Sequence, residues 1–128
     1  MNFEKIVYNH KDEIVKTFQE LLQIPSVLDE SDASVGAPFG NNIRKALEYM
    51  LAKGKEDGFE VLNDEGYAGR ISYKCGNQKE SVGILCHLDV VPEGNNWTYP
   101  PYEARIVDGK IFARGTTDDK GPTIACYY

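Results

Sequence analysis

Ser81-Val82-Gly83-Ile84-Leu85-Cys86-His87-Leu88-Asp89-Val90-Val91-Pro92 is the stretch on which the reading of this chain turns. Ser81 to His87 is almost continuously apolar, which is how a central strand covered on both faces reads. Residues i and i+2 of a strand share a face. The imidazole of His87 and the carboxylate of Asp89 can therefore stand together at the strand end. That pair suits a metal ligand with its orienting carboxylate, or the beginning of a catalytic base. A solvent-exposed strand-end histidine, followed by an aspartate opening a turn, is the plainer alternative.

A second polar cluster follows at Arg114-Gly115-Thr116-Thr117-Asp118-Asp119-Lys120-Gly121. A helix is expected to begin after Asp119, with Gly121-Pro122 in its first turn. An aspartate there could simply cap the helix, since free backbone N–H groups and the helix dipole both favour a carboxylate. Capping accounts for one aspartate. Small residues packed around several charges instead suggest a tight turn that brings backbone close to a ligand. The spacing of Lys120-Gly121 does not make a phosphate-binding loop.

Working outward, Phe3, Ile6, Val7, Ile14, Phe18, Leu21 and Leu22 recur at helical spacing and predict one helix from about Asn2 to Gln23. His10 falls on that apolar stripe and is expected to pack at the core boundary. Leu28 to Gly40 reads as a loop. Ile43, Leu47, Met50 and Leu51 predict a second helix, Asn41 to Asp57, closed by Gly58 in the left-handed conformation. Phe59 to Leu62 and Gly69 to Lys74 read as strands, with a turn at Gly76-Asn77. Asp108-Gly109 between two short apolar runs predicts a hairpin. The aromatic, proline-rich loop around Trp97 reads as a cover for a sheet edge. Cys86 should point away from His87, which argues against a Cys-His dyad and for a small core residue. Helices and strands joined by both hairpins and crossovers make the class α/β.

The totals fit a soluble domain: 128 residues, 41% hydrophobic, 27% charged, net charge -6. An acidic chain without a basic cluster points away from nucleic acid. No apolar run approaches the ~18 residues of a membrane span, so no membrane partner is expected. The start of the chain lacks a signal-peptide pattern. Three cysteines without CxxC spacing suit reduced thiols and a cytoplasmic setting. The last expected helix would stop on bulky apolar residues without a termination signal, so the chain is expected to be the N-terminal part of a longer protein.

Together, the stretches Gly83 to Pro92, Trp97, and Ala113 to Pro122 closely resemble the M20 metallopeptidases. Asp57-Gly58-Phe59 and Tyr67-Ala68-Gly69-Arg70 resemble the PepV-like bacterial dipeptidase branch. The resemblance spans essentially the whole chain. It implies a partial three-layer catalytic domain, a mixed sheet flanked by helices, truncated at its C-terminus. Residues 1–128 would be the N-terminal part, without the lid domain and C-terminal half. His87 would bind one metal of a two-zinc centre, with manganese or cobalt also suitable. Asp89 would be the catalytic orienter of His87, and Asp118 would bridge both metals. Asp119 stands where many relatives carry Met and is not assigned as a ligand. Ala113 replaces the usual first Gly of the second motif. A Glu-Glu pair, a further Asp and a distant His would lie downstream of Asp118.

The implied activity is metal-dependent hydrolysis of dipeptides, with a small peptide as substrate. The 128-residue chain by itself is expected to be inactive. An N-acyl-amino-acid deacylase on the same metal core is the alternative, and a small non-catalytic binding domain is a second. Oligomeric state is not legible.

Overall fold

A computed structural model describes residues 2–77 and 79–128. Its first two helices are α1 (Phe3–Asn9) and α2 (Lys11–Leu22). The single helix expected over this region is broken at His10, where ψ is 4° and the N–H bonds back to Val7 at 3.1 Å. Asn2 caps α1 by accepting from the Lys5 N–H at 3.1 Å. Every residue of α1 is exposed, whereas α2 buries Thr17, Leu21 and Leu22. His10 sits in the break with its side chain 56% exposed and 3.4 Å from Glu13. It is therefore not packed at the core boundary as its place on the stripe suggested.

Helix α3 (Asn41–Glu56) matches its expected span. Asp32 secures its start, accepting from the Asn41 N–H at 3.0 Å and from Asn41 Nδ2 at 2.8 Å. Gly58 ends it at φ +86°, with its N–H on Lys55 O at 3.1 Å. Strands β1 (Glu60–Asp64) and β2 (Ala68–Ser72) form an antiparallel hairpin with Val61 opposite Ile71. The hairpin packs on α3. A methyl group at Gly69 would come within 2.6 Å of Leu47 Cδ1, so this glycine permits the close approach.

Strands β3 (Arg105–Val107) and β4 (Lys110–Phe112) form the hairpin expected at Asp108-Gly109. Both turn residues have positive φ, 50° and 73°, the conformation of a tight hairpin turn. Helix α4 (Lys120–Tyr127) packs against α2. The main core joins Leu21, Ala46, Met50 and Ile124, with Phe18, Ile71 and Leu88 against it. Leu22, Ala104 and Ala113 form a smaller cluster under the β3–β4 hairpin.

The α/β class holds, but the strands form two separate two-stranded sheets. Residues 81–87 are not the buried central strand their sequence predicts. They belong to no sheet, and Val82 and Leu85 are 93% and 99% exposed. The physical reason is that a strand needs ladder partners. Each described strand pairs within its own hairpin, and none is hydrogen-bonded to this segment.

Candidate metal and active site

Although residues 81–87 lack a sheet, the segment that follows them is held firmly. Ser26, fully buried just beyond α2, accepts the Val90 N–H on its carbonyl at 2.9 Å. Its hydroxyl donates to Leu88 O at 2.6 Å. These two bonds act as a short ladder for residues 88–90. They fix the chain on either side of Asp89.

The second cluster is shaped by two glycines. Gly115 has φ +91°, and a methyl group there would lie 2.9 Å from Val90 Cγ1. A methyl group on Gly121 would lie 2.0 Å from Thr116 O. The turn between them can close only because both lack a side chain. Lys120 then anchors the start of α4. It is fully buried, and its ammonium donates to Leu21 O at 3.0 Å and Ile24 O at 2.7 Å. Burial pushes its pKa down to about 8. The peptide bond between Asp118 and Asp119 is cis.

This arrangement brings the two motifs together. His87 Nε2 lies 3.0 Å from Asp118 Oδ1, across 31 residues of sequence. His87 Nδ1 lies 3.2 Å from Asp89 Oδ1 and 3.2 Å from the Asp89 carbonyl oxygen. Each ring nitrogen thus faces an acceptor, and a doubly protonated ring satisfies both. Burial lowers the imidazole pKa, but the Asp118 hydrogen bond and the Asp89 charge outweigh it, so the net shift is upward. All three side chains are at least half exposed, Asp118 the most at 86%.

The donor set fits a cation in chemical type and in spacing. Imidazole nitrogen and carboxylate oxygen are both zinc donors, and two such atoms on one tetrahedral zinc would stand about 3.4 Å apart. The Nε2–Oδ1 separation of 3.0 Å is close to that span. The site is partial: among the described residues no group of three or more His, Cys, Asp or Glu side chains could hold a metal ion.

Neighbouring residues frame the pair. Trp97 donates from Nε1 to Glu93 O at 2.8 Å, and the Arg114 guanidinium sits 5.4 Å from its ring centre. Arg114 Nη2 also donates to Glu93 O at 3.1 Å. Tyr99 stacks edge-on against Phe112 at 5.1 Å, so the aromatic loop covers the β3–β4 hairpin. Cys86 is partly buried beside Cys126 and Thr123, and burial raises its thiol pKa. Sequence reasoning missed Ser26 and Lys120 as supports of the site. Neither carries a local signal, because their partners lie far away in the chain.

Comparison with known proteins finds relatives of the stretch that holds this geometry. Residues 83–128, which contain both clusters, match the model for peptidase family M20/M25/M40. The whole chain is 44% identical to a Bacillus subtilis (strain 168) protein named "Putative dipeptidase YtjP", of which it covers 27%. A Staphylococcus epidermidis protein named "Putative dipeptidase" is 44% identical over 95% of the chain, which covers 26% of that protein. One of similar name from Staphylococcus aureus (strain USA300) is 47% identical over the same share of the chain. The chain thus spans about a quarter of the length of the curated relatives it matches. It is thus similar to peptidase family M20/M25/M40 over residues 83–128, and along nearly its whole length to part of proteins named putative dipeptidases.

Proposed function

We propose that this chain is the N-terminal part of the catalytic domain of a metal-dependent dipeptidase, and that it carries one edge of a two-metal centre. The observation that carries this reading is the meeting of His87 Nε2 and Asp118 Oδ1 at 3.0 Å, with Asp89 behind the ring. The match of residues 83–128 to peptidase family M20/M25/M40 and the dipeptidase names of the relatives support it.

His87 would hold one cation through Nε2. Asp118, as a carboxylate with two oxygens, would bridge two. Asp89 would keep a proton on Nδ1, which presents Nε2 as the free lone pair and raises its basicity. When bound, the metals supply a water of lowered pKa and polarise the scissile carbonyl. Zinc suits these donors, and manganese or cobalt would also be accepted. The general base, the remaining ligands and the lid would come from the longer protein. The substrate would be a small peptide. A cytoplasmic setting is supported by the free cysteines Cys75, Cys86 and Cys126. No helix is long and apolar enough to cross a membrane among the described residues.

The test is dipeptide hydrolysis by the longer protein, against an N-acetyl amino acid panel. His87→Ala and Asp118→Ala should each remove most metal-dependent dipeptide hydrolysis. Full activity in either variant would overturn the assignment, and hydrolysis of N-acetyl amino acids alone would redirect it to a deacylase. The 128-residue chain itself should not exceed a buffer blank.

A further inference from the structure

The peptide unit of His87 is held by side chains at the position a neighbouring strand would otherwise fill. Asp119 Oδ2 accepts the His87 N–H at 3.1 Å. The Thr123 hydroxyl lies 3.4 Å from the His87 carbonyl oxygen, and bonds more closely to Asp119 O at 2.8 Å. Asp119 occupies the N-cap position of α4, where an aspartate ordinarily accepts a hydrogen bond from the first turn of its own helix. Here its side chain makes no capping bond. The carboxylate is directed across to His87 instead.

The consequence is geometric. Ser26 secures residues 88–90 on one side, and Asp119 secures His87 on the other. A charge-assisted hydrogen bond to a backbone N–H is among the stronger neutral-to-ion contacts available to a carboxylate. Because Asp118 and Asp119 are adjacent, one turn presents both the carboxylate facing the imidazole and the strut that fixes the imidazole's backbone.

We propose that Asp119 is a positioning residue, whose carboxylate holds the His87 backbone so that the ring meets Asp118. This rests on the reading of His87 and Asp118 as metal ligands. It assigns Asp119 an acceptor's role rather than a ligand's.

The experiment uses backbone amide exchange on the isotopically labelled chain. In Asp119→Ala the His87 amide should exchange at least about tenfold faster, from loss of one charged hydrogen bond. Asp119→Asn retains a side-chain oxygen acceptor and should restore most of the protection. Unchanged exchange at Leu21 and Ala46 reports that the core is intact. A trans-hydrogen-bond coupling between His87 N and Asp119 Cγ in the wild-type chain tests the contact without any substitution. Zinc titration of the longer protein, followed at the His87 ring, should show about 10–100-fold weaker binding in Asp119→Ala, with Asp119→Asn close to wild type.

The proposal is overturned by an absent coupling, by unchanged His87 exchange in Asp119→Ala, or by Asp119→Asn losing zinc as fully as Asp119→Ala. The last result would make Asp119 a ligand through its charge. Failure of the ligand reading shows separately, as zinc affinity unaffected by His87→Ala, and leaves the amide measurement standing.

Discussion

Lys120 donates its ammonium to the Ile24 carbonyl at 2.7 Å, and so joins the mouth of α4 to the end of α2. The last carbonyls of a helix lack intrahelical partners, and a cation near them is favoured. Lys120 fills this role from inside the protein. It thereby fixes where Asp118 and Asp119 emerge.

Removing that ammonium should be costly. Lys120→Met keeps much of the volume but removes the charged donor from the Leu21 and Ile24 carbonyls, which keep only their backbone donors, Ile24 N–H at 3.3 Å and Ser26 N–H at 2.9 Å. We expect a loss of about 2 kcal/mol in urea unfolding. A stability equal to wild type would show that the two bonds only offset the cost of burying the ammonium.

Gly121→Ala should deform the turn, because its new methyl would meet Thr116 O at 2.0 Å. Backbone must move, at a cost of about 1–3 kcal/mol by analogy with overpacking. The His87 ring resonances should shift with it. Unfolding and ring chemical shifts both matching wild type would refute the tight closure.

The acid side of stability should depend on Lys53. Its ammonium contacts Asp57 at 2.8 Å and Glu13 at 2.9 Å. The hydrogen bond from Lys53 holds both carboxyls below their usual range, with Tyr127 assisting at Asp57 and His10 at Glu13. A depressed folded pKa contributes stability above the unfolded value, near 4, and loses it as pH falls through the folded value. The stability gap between wild type and Lys53→Met should therefore be present at pH 7 and close below about pH 4. A gap that persists unchanged at pH 2 would assign it to packing of the Lys53 stem.

Leu85→Ser should leave the stability of this chain within about 0.5 kcal/mol, because the side chain is 99% exposed. It should also reduce self-association, since Val82 and Ile84 share the exposed run. Destabilisation by 2 kcal/mol or more would mean that the run is buried, as its composition suggests.

Local chemistry was readable wherever a residue's own backbone preference decided the outcome. Asp108-Gly109 made its hairpin because both residues tolerate positive φ. Gly58 closed α3 for the same reason. The break at His10 was hidden, because the apolar spacing of Ile6, Val7 and Ile14 continues across it. Asp119 was readable as a helix start, but its side-chain partner was not. Hydrogen bonds between distant segments leave no periodicity to detect.

From the order of residues alone came the α/β class, the hairpin, the long third helix and the two polar clusters that define the candidate site. Those features depend on neighbours a few positions away. Three-dimensional packing decided that residues 81–87 stay outside any sheet, and that Ser26, Lys120 and Asp119 support His87 and Asp118. A strand exists only with a partner to complete its hydrogen bonds, and a distant support works only once the chain has folded back on itself.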